Sequence, residues 1–502
     1  ALAGGGSRPA RAADAAPVSL AADAAPVSLA ADPRLASALS SGELRESIAR
    51  LRVTGSVLYV GAHPDDDNTS LLAALARGRR VRTTYLSLTR GDGGQNILGT
   101  ETGEALGVLR TQELLASRRV DGAEQLFGRA RDFGFSKSPD EALRVWGHDR
   151  TLADMVWLIR CDQPDIIITR FGTDGSGGHG HHTASALLAG EAFRAAADST
   201  RFPEQLAFVP VWRARRLLWN TWAPKLEGRD PHSPKLLTLD AGIYDPDLGA
   251  SYAELGGRAR SLNRSQGAGT PERRGRLTEY FEQVDGEFAE HDLFEDVPPG
   301  WSRIAGAGAL DSLLAAAERE FDPAQPALVL PLLARAHAAM LPLIRSSGAN
   351  APRVRAKLAE LERVMRWAAG LWLEANAETP SVCPGDTVLV SLTAIDRGGA
   401  PIRVARIELP FGAHGYYRRE SPPGTAAGAQ SAMLDSAAAT DHTARELPAN
   451  QPVVAQARMV VPRDAPFSQP YWLRGSIDPA AAQEPAGRWR GEPERLSAPP
   501  AL

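Results

Sequence analysis

Only two cysteines, Cys161 and Cys383, occur in 502 residues. Thiols so few and so far apart exclude a disulfide framework and a cysteine-built metal cage, which need several sulfurs at short spacing. A charge excess of one sign is also missing. With 56 basic against 60 acidic residues the formal net charge is -4, too weak a field to suggest a nucleic-acid or polyanion partner. No run of about 20 apolar residues stands out, so no membrane-spanning helix is expected. Initiator methionine is absent as well: the chain opens Ala1-Leu2-Ala3-Gly4. That opening suits the tail of a signal peptide and gives a lean toward export, periplasmic or secreted, although an arbitrary boundary accounts for it equally.

What remains is the composition of a soluble globular protein, 43% hydrophobic and 23% charged. The length exceeds one ordinary core, so two or three domains are expected. Residues 1–40 read as a low-complexity leader, in which the nine residues Ala12–Leu20 recur at Ala21–Leu29. Two short copies cannot stack a solenoid. From residue 41 strand and helix patterns alternate. Val57–Gly61, Val81–Leu88, Asp165–Thr169 and Arg216–Asn220 read as strands. Thr69–Arg77, Glu101–Phe127, Leu152–Arg160 and Thr183–Ala197 read as helices. This predicts an α/β fold over 41–300: a Rossmann-like, mainly parallel sheet with helices on both faces. Residues 240–300 look irregular and polar, with one helix near Ser251–Asn263. Helical spacing over 301–370 predicts a helical hairpin. Alternating runs such as Thr387–Leu392 and Val453–Val460 predict a β-sandwich module over 371–502.

In an open α/β sheet, ligands bind beyond the carboxyl ends of the strands. Two clusters fall there. Ala62-His63-Pro64-Asp65-Asp66-Asp67 follows the first strand directly. Pro64 stiffens the turn and biases His63 toward extended backbone. Three adjacent carboxylates repel one another unless a cation or helix terminus compensates. The second cluster, Gly177-Gly178-His179-Gly180-His181-His182, follows the strand that ends near Thr169. Four of the ten histidines thus occupy two strand-end loops. A His and a carboxylate from the first loop with a His from the second would make a three-ligand site, leaving one position for water as catalytic zinc requires. A plainer reading has Asp66 or Asp67 capping the next helix and the glycine-rich loop merely solvated.

These residues resemble the PIG-L (LmbE-like) deacetylase family, in its larger bacterial multidomain form. The resemblance rests on the strand-then-His63-Pro64-Asp65-Asp66 loop, the turn Ser87–Gly94, Arg110-Thr111-Gln112-Glu113, and the pair His179 and His182. Ser251-Tyr252-Ala253-Glu254 and Arg264-Ser265-Gln266-Gly267 extend it. It implies one catalytic Zn²⁺ held by His63, Asp66 and His182. It makes Asp65 the general base acting on water, and His179 the group that stabilises the oxyanion or protonates the amine. The implied activity is hydrolysis of an N-acetyl or other N-acyl group from an amino-sugar-containing small molecule or glycan. A thiol-conjugate amidase of the same family and a non-catalytic carbohydrate-binding protein are the alternatives. Asp67 stands where the family usually has Glu, which puts the support of the loop in question.

Arg90 and Asp92, on a glycine-rich turn, are candidates for sugar hydroxyls; the competing reading has Asp92 stabilising the turn and Arg90 in solvent. Arg110 and Glu113, three apart on a helix, are expected to pair with each other. Trp212, Trp219 and Trp222 are expected to serve core packing more than sugar stacking.

Overall fold

The structure, a computed structural model, describes residues 39–222, 236–267, 269–404, 414–418, 445–465, 467–468 and 470–473. The leader and its duplicated nonapeptide lie outside them, as does the chain's Pro/Ala/Glu-rich end. By internal contacts the chain divides into two units. Among the described residues, one draws on Ala324–Ala336 and on Met365 onward as far as Pro466; the other on the chain from residue 39 to Pro323, on His337–Val364 and on the segment from Phe467.

The larger unit opens with α1 (Ser41–Arg50), whose start is closed by Ser40 and Glu43 in a reciprocal capping box. Then follow β1 (Ser56–Gly61), α2 (Thr69–Ala73), β2 (Arg82–Ser87), α3 (Gly103–Asp121), β3 (Glu124–Phe127), α4 (Pro139–Trp146), α5 (His148–Asp162), β4 (Ile166–Thr169), α6 (Gly180–Ala196) and β5 (Arg216–Thr221). After β6 (Leu236–Asp240) come a small ribbon of β7 (Tyr244–Asp245) and β8 (Ala250–Ser251), α7 (Tyr252–Arg260) and β9 (Thr278–Gly286). The main sheet has the order β3-β2-β1-β4-β5-β9-β6. Its first five strands are parallel; β9 runs antiparallel to both β5 and β6.

The period-2 alternation of β1 decides which helices cover which face. Leu58 and Val60 pack in a cluster with Trp146, Leu152 and Leu188 from α4, α5 and α6. Val57 and Tyr59 pack instead with Leu71, Leu72 and Leu114 from α2 and α3. β1 is buried over its whole length, as expected for a strand covered on both faces. Strand order reverses between β1 and β4, so the loops after these two strands border one crevice.

Three expectations need correction. The helix predicted over Glu101–Phe127 stops at Asp121. Gly122 takes φ +82 and donates its N–H to the Arg118 carbonyl, a left-handed cap, and the last four residues turn into the edge strand β3. The segment 240–300 is not irregular: β9 adds to the sheet. Its residues Thr-Glu-Tyr-Phe-Glu-Gln-Val-Asp-Gly are mostly polar and half exposed, so only Phe281 marks it as a core element. Nor is an apolar run of spanning length missing. Pro326–Ser346 is 21 residues long with mean hydropathy 1.8, enough to cross a membrane by length and composition alone. It carries Arg335 and His337, and the His337 Nε2 lies 3.0 Å from Glu362, polar features that a bilayer core disfavours.

The hairpin expected over 301–370 is three helices, α8 (Gly308–Glu320), α9 (Leu330–Ser346) and α10 (Ala351–Ala368). In the smaller unit β10 (Leu371–Ala377), β11 (Thr387–Asp396), β13 (His414–Arg418) and β15 (Val453–Val460) form an antiparallel sheet in the order β10-β11-β15-β13. A two-stranded ribbon joins β12 (Arg403–Val404) and β14 (Arg445–Glu446). The described residues show this one sheet and ribbon; much of the stretch expected to complete a sandwich, 405–413 and 419–444, lies outside them.

At the amino ends of the parallel strands, Asp165 is buried between two arginines. Arg303 donates to both of its oxygens at 2.6 and 2.8 Å, and Arg353 to both at 3.2 Å. Removing one partner of such a cluster strands buried charge. Asp165→Ala is therefore expected to cost about 3–5 kcal/mol, read as a lowered urea midpoint. Unchanged stability would show that the arginines are satisfied without it.

Candidate metal centre

The His63-Pro64-Asp65-Asp66 turn is held from three sides. His63 is extended, φ -122 and ψ 162, as the residue before a proline should be, and Pro64–Asp66 form one 3-10 turn. Asp66 Oδ2 accepts the backbone N–H groups of Ala62 and His63, at 2.9 and 2.7 Å. The Tyr85 hydroxyl donates to the His63 carbonyl. The capping alternative falls: Asn68, not Asp66 or Asp67, caps α2 by accepting from the Leu71 N–H. Asp67 is wholly buried, and its carboxylate meets Arg118 and, at 3.4 Å, Arg260. The shorter acid is thus anchored by arginines from α3 and α7.

The second loop brings its histidines to the same place. Ligand atoms of His63, Asp66 and His182 lie within 4.8 Å of one another, and so do those of His63, His179 and His181. These two constellations share His63 and compete for it. Hydrogen bonding separates them. His182 Nδ1 lies 3.0 Å from the Gly177 carbonyl, an acceptor, so its hydrogen sits on Nδ1 and the Nε2 lone pair is free, 3.3 Å from Asp66 Oδ1. Phe171 stacks on the ring at 3.8 Å, 5° from parallel, and fixes its plane. His179 is set the opposite way. As N-cap of α6 its Nδ1 accepts the His181 N–H at 3.1 Å. Its hydrogen is then on Nε2, which leaves a donor where a ligand would need a lone pair. Of the two constellations among the described residues, that of His63, Asp66 and His182 is the one able to offer three lone pairs to one cation.

Electrostatics fit that set. Burial works against an ionised Asp66, yet the charge of His63 and hydrogen bonds from His182 and His63 hold its carboxyl well below the usual range; a cation would take the place of those hydrogens. For His63, burial opposes the charged form while the Asp66 carboxylate raises it. An anionic oxygen flanked by two imidazoles suits a borderline cation such as Zn²⁺. His179 differs: burial, then the neighbouring His63 and His182, lowers its pKa to about 4, so its ring is neutral near pH 7.

Asp65 stands apart from the ligand set. Its Oδ1 accepts from Arg110 Nη2 at 2.5 Å and its Oδ2 is 3.5 Å from Arg260 Nη2. The expected Arg110–Glu113 pair does not form. Arg110, buried, reaches across to Asp65 and to the Gly91 carbonyl at 3.0 Å, while Glu113 accepts from the Ser265 N–H and hydroxyl. Gly91 takes φ +67 and presses so closely on Arg110 that a Cβ would fall 2.1 Å from Nη1. Arg90 is not solvated. It donates to Thr111 Oγ1 and lies between the rings of Phe127 and Trp472, at 4.1 and 3.5 Å. Asp92 Oδ1 accepts the Asp132 N–H, and Oδ2 lies 3.4 Å from Arg131. Trp212 donates to the Pro164 carbonyl and packs on the core; Trp222 lies 4.6 Å from the Arg170 guanidinium.

Sequence reasoning missed Arg260, Phe171 and Phe135. The first two carry no motif of their own. Phe135 is 71% exposed with its ring 5.1 Å from that of His179, a signal visible only in three dimensions. His182→Ala is expected to abolish metal uptake, whereas His179→Ala should retain it, measured as zinc per chain after dialysis. Metal kept in His182→Ala and lost in His179→Ala would mean that the competing constellation holds the ion.

Residues 58–193 match the sequence profile of the family described as PIG-L: GlcNAc-PI de-N-acetylase. A 1D-myo-inositol 2-acetamido-2-deoxy-alpha-D-glucopyranoside deacetylase from Geodermatophilus obscurus is 31% identical over 182 residues, 32% of this chain and 60% of the relative. The deacetylase of the same name from Corynebacterium efficiens is 28% identical over 249 residues, 40% of this chain and 79% of the relative. The chain thus spans 60% of the length of the first of these. Among solved structures, N,N'-diacetylchitobiose deacetylase from Pyrococcus horikoshii is 18% identical, covering 42% of this chain and 70% of that one, with a TM-score of 0.30, too low to bear on fold or function. With the two strand-end loops, the Arg110 helix and the His179–His182 pair all in place, the chain carries a PIG-L family domain over residues 58–193.

Proposed function

We propose that this protein is a zinc-dependent N-deacetylase acting on an N-acetylated amino sugar. The observation that carries the reading is the convergence of ligand atoms of His63, Asp66 and His182 within 4.8 Å of one another, with the carboxylate of Asp65 next to them in sequence and free of that set. Zinc bound there supplies Lewis acidity, polarising the amide carbonyl and acidifying water. The chain's own residues do the rest. Asp65 takes the proton of the attacking water, and Arg110 and Arg260 hold its carboxylate in place meanwhile. His179, neutral and with its hydrogen on Nε2, donates to the carbonyl oxygen as negative charge builds on it. The C–N bond then breaks; the proton collected by Asp65 goes to the departing nitrogen, and acetate and a free amine leave.

On the substrate side, Phe135 offers an exposed aromatic face beside His179, suited to the apolar face of a sugar ring. Arg90 and Asp92 flank Gly91, whose carbonyl holds Arg110. Their part in sugar binding is assigned to the shape of this turn as much as to hydroxyl contacts. The names of the curated relatives favour an N-acetylglucosaminyl inositol as the first compound to test.

The test is acetate release from a panel of N-acetylated amino sugars, with zinc measured in parallel. Asp65→Asn is expected to keep zinc and lose roughly 10²–10⁴-fold in kcat. A product acid larger than acetate would move the reading to an amidase. Zinc without release from any acylated amine would leave a carbohydrate-binding protein.

A further inference from the structure

His181 lies between two candidate ligands, yet the ligand set does not use it. It is fully buried, enclosed by the rings of Phe133 and Trp146 at 4.4 and 4.7 Å. Its Nδ1 lies 3.0 Å from His63 Nε2. One of those two nitrogens must carry a hydrogen, and the other must accept it. The opposite nitrogen of His63, Nδ1, is the one beside Asp66 Oδ2, at 3.2 Å. For His63 to share a cation with Asp66 and His182 through Nδ1, that lone pair must be bare and the hydrogen must sit on Nε2. An acceptor then has to stand beyond Nε2. Asp132 Oδ1 is 3.8 Å from His181 Nδ1, past hydrogen-bond reach, so it does not compete for that lone pair. His181 Nε2, on the far edge of the ring, has no hydrogen-bond partner among the described residues. Its hydrogen faces aromatic surroundings, which accept it weakly.

We infer that His181 is a positioning residue of the metal centre: its ring accepts the Nε2 hydrogen of His63 and so turns the Nδ1 lone pair of His63 toward the ion. The inference rests on the zinc reading above. In most metal sites a carboxylate or a backbone carbonyl orients the ligating imidazole; here a neutral imidazole does it. The same residue also fixes His179 through its backbone N–H. One buried residue therefore makes His63 a ligand and His179 a donor.

The test compares His181→Leu with His181→Asn. Leucine fits the apolar surroundings but accepts nothing. Asparagine places an acceptor oxygen on the same branch as Nδ1. His181→Leu is expected to weaken zinc binding 10–100-fold in a competition titration, with the far-UV circular dichroism unchanged, and His181→Asn to recover most of that loss. Zinc affinity in His181→Leu equal to wild type, or equal losses in both variants, would overturn the inference. Should either variant fail to fold, the ¹⁵N shifts of the His63 ring in zinc-loaded wild-type protein decide instead. A hydrogen on Nε2 supports the inference, and one on Nδ1 overturns it alone. A wild-type chain that takes up no zinc would overturn both this inference and the zinc reading.

Discussion

The carboxylate of Asp66 is the interaction on which the rest of the centre depends. It closes its own turn by accepting two backbone N–H groups, and faces one imidazole from each of two loops that are far apart in sequence. A buried carboxylate is costly unless its charge and lone pairs are met. Here that requirement and the topology coincide. The strand order reverses between β1 and β4, so the two loops able to meet the charge are the two that border one crevice.

A second layer settles what each imidazole is able to do. Four histidines in one place could all be ligands, and two overlapping triads satisfy distance alone. Backbone groups break the tie: the Gly177 carbonyl puts a hydrogen on His182 Nδ1, and the His181 N–H claims the lone pair of His179 Nδ1. The start of α6 thus sorts its own histidines into ligand and donor, because capping a helix consumes a lone pair. Gly177 matters for the same reason, since a Cβ there would fall 3.0 Å from that of His182.

Much of this was legible in the sequence where local pattern and chemistry agree. The buried runs of β1 and β4 are short and apolar; an acid-rich turn follows the first at once and a glycine- and His-rich loop follows the second, so both the strands and the position of the loops could be read. Tautomers could not, because they depend on contacts such as Gly177 to His182 that no spacing encodes. Arg110 misled for a related reason. Three-residue spacing allows a pair with Glu113, but a buried guanidinium answers to the acceptors around it, and those belong to Asp65 and Gly91. The strand β9 was invisible because an antiparallel addition exposed on one side needs few apolar residues. The end of α3 was legible in principle, through Gly122, but the apolar spacing running on to Phe127 outweighed it.

Arg260 lies well outside the stretch that matches the family profile, yet its guanidinium touches both Asp65 and Asp67. The stretch that a profile delimits and the stretch that folds as a working whole are therefore different things in this chain. A fragment trimmed to the matched residues would keep every histidine and every acid of the centre while losing a cation that keeps neighbouring acids from repelling each other. Residues with no motif can thus govern whether the motif's charges are tolerable at all.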